Sequence, residues 1–322
     1  THDLAVGPGG QAVKNILLAL VVSALLVPVA DAAESQRTTK AGASKASRTA
    51  KPAPTASKST KTPASRARAA QLADSQVSSD PSQLDLKSSA ALVIEQDGGR
   101  TLYAKNSDAV VSIASITKLM TAMVALDAQL NLHEQVIINS EDIDLVKHTR
   151  SRLKIGTVLE RDELLRLALM ASENRAASAL ARSYPGGTPA FVAAMNRKAA
   201  DLGMSRTRFV DSTGLSSENV STAQDLAKLV VAADRYPLIQ EYTTLTSHTV
   251  TTDSGRVLAF GNSNGLVKDG AWHIDVSKTG YIAEAGRCLV MQARIGAKPV
   301  VIVLLDSWGK YSRIGDANRI KK

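Results

Sequence analysis

An α+β domain with a helical insert is the fold class this sequence predicts, and three observations lead to it. Apolar runs at Ala90–Glu95 and Arg100–Ala104 read as early strands. From about Ile116 to Ala233 the apolar residues recur at helical spacing. From Thr243 onward the pattern changes to short β-type runs separated by Gly-rich or Lys-Pro turns. No internal repeat is visible.

The front of the chain is different in kind. Lys14-Asn15, the apolar run Ile16–Val29 and the small residues Ala30-Asp31-Ala32 form the charged, hydrophobic and cleavage regions of a secretory signal peptide. The run is shorter than the ~20 residues a spanning helix needs, which favours cleavage after Ala32 over a retained anchor. Thr1–Ala12 precedes the charged region and is read as upstream sequence, with Val13 marking the expected start; residues 1–32 form this first segment. Residues 33–86 are rich in Ala, Ser, Thr, Lys, Arg and Pro and nearly free of large apolar side chains. Such a segment buries too little surface to offset its ordering entropy, so a disordered basic linker is expected. Its dispersed charge suits either a loose hold on anionic lipid or wall polymer, or a simple solvated tether.

Residues 87–322 are expected to form the folded domain. Asp97-Gly98-Gly99 supplies the turn of a first hairpin. Ile116, Leu119, Met120, Met123, Leu126 and Leu130 mark an amphipathic helix. Gln135–Asn139 reads as a short strand and Leu153–Leu159 as an irregular connection. A largely buried helix, Arg161–Ala171, breaks at Ser172-Glu173-Asn174 and resumes from Arg175 to Arg182, where Pro185-Gly186-Gly187 stops it. Thr188–Leu202 is a further helix, ended by Gly203, and Ser221–Ala233 opens on a Ser-Thr cap and runs to Tyr236-Pro237. Thr243–Thr252, Val257–Phe260, Ile274–Ile282, Arg287–Ile295 and Val300–Leu305 follow as strands, and Tyr311–Ile320 as a closing helix.

Composition narrows the function. Of the 39 basic residues, ten lie in 1–70 against three acidic ones, so residues 71–322 carry a net charge of only +2 out of the total +9. A nearly neutral folded part argues against a nucleic-acid-binding domain. The single cysteine, Cys288, permits no intramolecular disulfide and reads as a small apolar residue in a buried strand. The five histidines show no ligand spacing, so no metal site and no cofactor are expected.

Three short patterns carry chemistry. In Ser115-x-x-Lys118 the two side chains share a helix face at its N-terminus, which places a base beside a hydroxyl that is a weak nucleophile without one. A second match, Ser151-x-x-Lys154, sits in a polar stretch without an apolar helix behind it and is read as surface. Ser172-x-Asn174 falls between two helices, where a hydroxyl can relay a proton and a carboxamide can hold a substrate amide; as plain structure it would be a pair of caps. Ser217-x-Asn219 matches equally well. Lys278-Thr279-Gly280 lies on an expected strand, where lysine and threonine suit a carboxylate and glycine permits close backbone approach.

Taken in order, the three patterns resemble the penicillin-recognising serine acyltransferases. Ser115-Ile-Thr-Lys-Leu-Met-Thr-Ala, Asp211-Ser-Thr-Gly-Leu with Asn219-Val-Ser-Thr-Ala-Gln-Asp, and Lys278-Thr-Gly-Tyr-Ile-Ala-Glu-Ala-Gly-Arg-Cys-Leu-Val-Met are similar to the low-molecular-mass D-alanyl-D-alanine peptidases, above all the endopeptidases of the penicillin-binding protein 7 type. The resemblance implies a β-lactamase/transpeptidase-like fold: an antiparallel sheet flanked by helices, with a helical subdomain. It implies Ser115 as the acylated nucleophile, Lys118 as its base, Ser172 as the relay hydroxyl and Asn174 as the contact to the substrate amide. Lys278 and Thr279, with Gly280, would meet the terminal carboxylate of a substrate or β-lactam, and the N–H groups of Ser115 and Tyr281 would form the oxyanion hole. Ser217-x-Asn219 falls inside the Thr-Gly-Leu segment and is not the family motif.

The activity implied is that of an exported, periplasmic serine peptidase acting on peptidoglycan stem peptides, with the D-alanyl–diaminopimelate cross-link as the preferred bond and β-lactams as covalent inhibitors. Release of terminal D-alanine is the close alternative. A serine β-lactamase is disfavoured because no Glu-x-x-x-Asn segment follows Asn174 at a suitable distance. A non-catalytic wall-binding protein would not need nucleophile and base together. With 42 residues after Gly280, a tight C-terminal membrane anchor is not expected.

Overall fold

The computed structural model describes residues 84–322. The segments read as a signal peptide and, up to residue 83, as a linker lie outside the described residues. Five strands, β1 (Ser88–Glu95), β2 (Thr101–Lys105), β9 (His273–Ile282), β10 (Gly286–Ile295) and β11 (Lys298–Ser307), form one antiparallel sheet in the order β2-β1-β11-β10-β9. The late hairpins therefore dock onto the first strand, and β9 is left as an edge.

Strand alternation gives the sheet two buried faces. Leu92, Val290, Val301, Val303 and Leu305 turn toward the helical part, while Ala91, Val93, Leu289, Met291, Ile302 and Leu304 form a smaller core with Trp272 and Ala317. Leu86 packs into this second core, so ordered packing begins ahead of Ser88. The closing helix α7 (Ser312–Lys321) is tied to the start of β1 through buried Asp316, which accepts from Lys87 N at 3.0 Å, Ser88 N at 2.8 Å and Ser88 Oγ at 2.7 Å.

The helical part holds α1 (Thr117–Asp127), α2 (Arg161–Met170), α3 (Asn174–Arg182), α4 (Gly187–Asp201), α5 (Ala223–Ala233) and α6 (Pro237–Thr244). The helix expected to be amphipathic is α1, and it departs from that expectation. Every residue from Thr117 to Ala125 is buried, because α2 to α6 pack around it. Three details missed the sequence reading. Pro237 begins a helix at its first turn, where a missing N–H costs nothing, rather than only ending the one before. The stretch read as irregular before Arg161 holds β5 (Val158–Glu160), which pairs with β4 (Gln135–Ile137). Two-residue strands β3 (Val111–Ser112) and β6 (Val220–Ser221) pair beside the start of α1. The expected strands β7 (Ser247–Thr251) and β8 (Val257–Gly261) form a separate hairpin, with Thr243 and Thr244 taken into α6 instead of β7. Among the described residues no helix is long and apolar enough to cross a membrane.

Candidate active site

Ser115 stands in a single 3-10 turn, Ala114–Ile116, that leads directly into α1. The turn is strained: Ala114 has φ +48°, a left-handed value unusual for a residue with a Cβ. Strain of this kind persists only where the surroundings over-determine it, and here they do. Thr117 Oγ1 donates to Ala114 O at 2.8 Å, and Ile113 N donates to Asn219 O at 3.1 Å.

Gly280 sits on the edge strand β9 with its Cα against this turn. A Cβ there would lie 2.9 Å from Ile113 O and 3.1 Å from Ser115 N. The close approach that glycine permits is thus one between two parts of the chain. It brings the Gly280 backbone close to the Ser115 N–H.

Lys118, one turn into α1, is fully buried and reaches three groups. Its Nζ lies 2.9 Å from Ser115 Oγ, 2.7 Å from Asn174 Oδ1 and 2.6 Å from Thr213 O. Asn174 Oδ1 and the Thr213 carbonyl are pure acceptors, whereas a serine hydroxyl can give or take. A neutral amine has two N–H bonds and one lone pair, so it satisfies both acceptors and still accepts the Ser115 proton. Burial pulls the Lys118 pKa down to about 7, against the opposing pull of Asp211, Glu173 and Asp144. The amine is therefore poised near neutral pH.

The other two patterns converge on the same cleft. Asn174 opens α3, and Ser172 sits in the break before it with φ +59°. Ser172 Oγ lies 2.8 Å from Lys278 Nζ, which also donates to Thr279 O at 2.9 Å. The Ser172 hydroxyl thus meets the lysine of β9, while Lys118 holds Ser115 and Asn174. Burial first, then the charges of Lys118 and Arg313, hold the Lys278 pKa well below that of an ordinary lysine. Thr279 Oγ1 donates to Ser263 Oγ at 2.7 Å, and Tyr281 is exposed with its ring under Arg287.

Several site groups escaped the sequence reading. Thr213 contributes a backbone carbonyl, held by a turn in which Asp211 accepts from Thr213 N, Gly214 N and Ser216 N at 2.6–2.8 Å. Asn219 is fully buried, linking Thr117 Oγ1 at 3.0 Å to Asp211 O at 2.9 Å, so the second Ser-x-Asn match is a brace. Arg313 donates to the carbonyls of Gly280 and Cys288 at 3.1 and 3.3 Å from behind β9. Cys288 itself is buried, and that burial pushes its thiol up to about 11, which leaves it inert.

Comparison with known proteins places the chain in a family. Residues 75–309 match the D-alanyl-D-alanine carboxypeptidase family, peptidase S11. A D-alanyl-D-alanine endopeptidase of Pseudomonas aeruginosa is 48% identical over 243 residues, covering 75% of this chain and 78% of that one. One of Escherichia coli is 45% identical over 241 residues, covering 74% and 78%. Among solved structures, the Streptomyces K15 DD-transpeptidase superposes with a TM-score of 0.68 at 30% identity over 73% of this chain and 95% of its own. Penicillin-binding protein D2 of Listeria monocytogenes, in its ampicillin-bound form, gives 0.63 at 33% identity over 74% and 97%. The fold is accordingly that of the DD-transpeptidases, and the chain belongs to the D-alanyl-D-alanine carboxypeptidase family of serine peptidases.

Proposed function

We propose that this protein is an exported endopeptidase that opens the D-alanyl–diaminopimelate cross-link of peptidoglycan through an acyl-enzyme on Ser115. The observation that carries the reading is the 2.9 Å contact between Ser115 Oγ and a buried lysine whose other two partners only accept. Lys118 takes the Ser115 proton as Oγ bonds to the D-alanine carbonyl carbon. The N–H groups of Ser115 and Tyr281 hold the oxyanion that forms. As the C–N bond breaks, the proton passes to the leaving amine, with Ser172 and Lys278 beside the path. Water then hydrolyses the ester, again with Lys118 as base, and Ser115 regains its proton. Asn174 holds the donor-side amide, and Lys278 and Thr279 meet the carboxylate of the leaving group. The relatives named as endopeptidases support this bond over simple removal of terminal D-alanine. The periplasm is where such a substrate lies, in keeping with the leader read at residues 14–32.

Benzylpenicillin tests the chemistry directly. Intact mass spectrometry is expected to show one long-lived adduct of a whole penicillin, absent in Ser115→Ala, after which purified cross-linked muropeptide dimers are expected to give monomers. Fast penicillin turnover with no adduct would mean a β-lactamase, and no reaction would mean a binding protein.

The pH dependence follows from Lys118. A lysine acts as base only when neutral, and its pKa is about 7 here. The second-order rate of acylation should therefore climb roughly tenfold per pH unit below about pH 7 and level off above it. A rate that stays flat from pH 5 to 9 would assign the proton to another group.

A further inference from the structure

The cleft has a second wall that the mechanism above does not use, and it is tied across to the edge strand. Between β4 and β5 the chain loops out over residues 143–154 without regular structure. Asp144 organises its tip. One carboxylate oxygen accepts from Val146 N at 2.9 Å and Lys147 N at 2.8 Å; the other accepts from Thr149 N at 2.8 Å and Thr149 Oγ1 at 2.7 Å. From that tip the Lys147 ammonium bonds to the carboxylate of Glu284, in the turn that joins β9 to β10.

The position of this pair relative to the reacting carbonyl matters. Gly280 lies against Ser115 N, Lys278 and Thr279 precede it on β9, and Glu284 follows it. If Lys278 and Thr279 take the carboxylate of the leaving group, as proposed above, the acyl-donor part of a substrate runs the other way, toward Glu284. The Lys147–Glu284 bridge then crosses the donor end. On the other side of the loop, between its first residues and the 211–215 turn, a cleft of about 220 Å³ is lined by Leu145, Val146, Asn174, Thr213 and Leu215, without Lys147 or Glu284. Leu145 and Val146 are 76% and 64% exposed at its rim.

The loop also sets the orientation of Asn174. Thr149 Oγ1 gives its proton to Asp144, so only its lone pairs face Asn174 Nδ2, 3.0 Å away. With Nδ2 held there and Oδ1 on Lys118 Nζ, the carboxamide cannot flip, and its second N–H is free to meet a donor carbonyl.

We propose that Lys147 and Glu284 are positioning residues: their ion pair latches the 143–154 loop over the donor end of the cleft and thereby holds Asn174 ready for substrates that carry a donor-side amide. The inference rests on the proposed acyl-transfer reading. Both charges are partly exposed, so the pair contributes little to stability. Its effect lies in which substrates react.

Two β-lactams separate that effect from a general one. Benzylpenicillin carries an acylamide on the donor side of its ring; 6-aminopenicillanic acid has only an amine there. In Glu284→Gln and in Lys147→Met, the acylation rate for benzylpenicillin is expected to fall about five- to tenfold while that for 6-aminopenicillanic acid stays within twofold, with Tm within about 2 °C of the parent. The charge-swapped Lys147→Glu/Glu284→Lys protein should recover most of the lost ratio. Equal loss on both compounds, or an unchanged ratio, would overturn the latch. If the parent protein formed no adduct with either compound, the acyl-transfer reading itself would fail, which is a separate result.

Discussion

Lys118→Met is expected to lower the rate of Ser115 acylation by benzylpenicillin about 10³- to 10⁴-fold while leaving the fold intact. General-base assistance is worth roughly 10²–10⁴ in rate, and the upper half of that range applies here because no second base is hydrogen-bonded to Ser115 Oγ among the described residues. Its other partner is the Thr213 carbonyl at 3.4 Å, a long bond to a group that cannot take a proton. Methionine fills the fully buried position of Lys118 without a charge, but it leaves Asn174 Oδ1 without that donor and Thr213 O with only the long bond from Ser115 Oγ. Losing those partners costs about 1–3 kcal/mol for each buried group left unpaired, a fall in Tm of several degrees at about 2–4 °C per kcal/mol for a domain of this size. The limb of the pH profile near pH 7 should vanish together with the rate. Lys118→Arg is expected to be as slow, since a guanidinium keeps its proton at any working pH. An acylation rate for Lys118→Met within tenfold of the parent, measured by intact mass over time, would remove Lys118 from the role of base.

The residues that bring the three patterns into one cleft were legible because each announces itself by type and spacing. Ser115 and Lys118 share a helix face whatever surrounds them, and the break at Ser172–Asn174 showed as a polar interruption in an apolar helix. The strands β10 and β11 were equally plain as near-continuous apolar runs, since both faces of that sheet are buried and polar residues cluster at the turns. What stayed hidden were contacts made by backbone atoms. The Thr213 carbonyl that accepts from Lys118 and the Gly280 and Cys288 carbonyls that accept from Arg313 have no signature in side-chain type. Lys147 and Glu284 are 137 positions apart and look like ordinary surface charges. Asn219 shows the converse: its triplet looks functional, and the fold uses it as a buried brace. The all-round burial of α1 was missed because α1 is flanked by helices from both halves of the insert, an arrangement that periodicity within one helix does not encode.

Gly214→Ala should be the most damaging small substitution in the domain. Gly214 has φ +79°, and a Cβ at that position would lie 2.0 Å from Ala114 O, 2.4 Å from Ala114 C and 2.9 Å from Ser115 N. All three are backbone atoms of the strained turn that presents Ser115, so no side chain can swing aside. Either the turn retreats, carrying the Ser115 hydroxyl and N–H out of line, or the 211–216 loop lifts and takes the Thr213 carbonyl off Lys118. The left-handed conformation alone costs an alanine about 1–2 kcal/mol, and forcing a methyl into packed structure adds about 1–3 kcal/mol. At about 2–4 °C per kcal/mol, Tm should fall by roughly 5–15 °C. Acylation should fall at least about 10²-fold, as when one oxyanion donor is lost. Gly203→Ala separates the two causes. Gly203 ends α4 with φ +67° and has nothing within 4 Å of its Cβ position, so it carries the conformational penalty without the collision. It should lose a few degrees of Tm and none of its acylation rate. Were the two variants to acylate within threefold of each other, the contact between Gly214 and the Ala114–Ser115 turn would not be what sets the nucleophile.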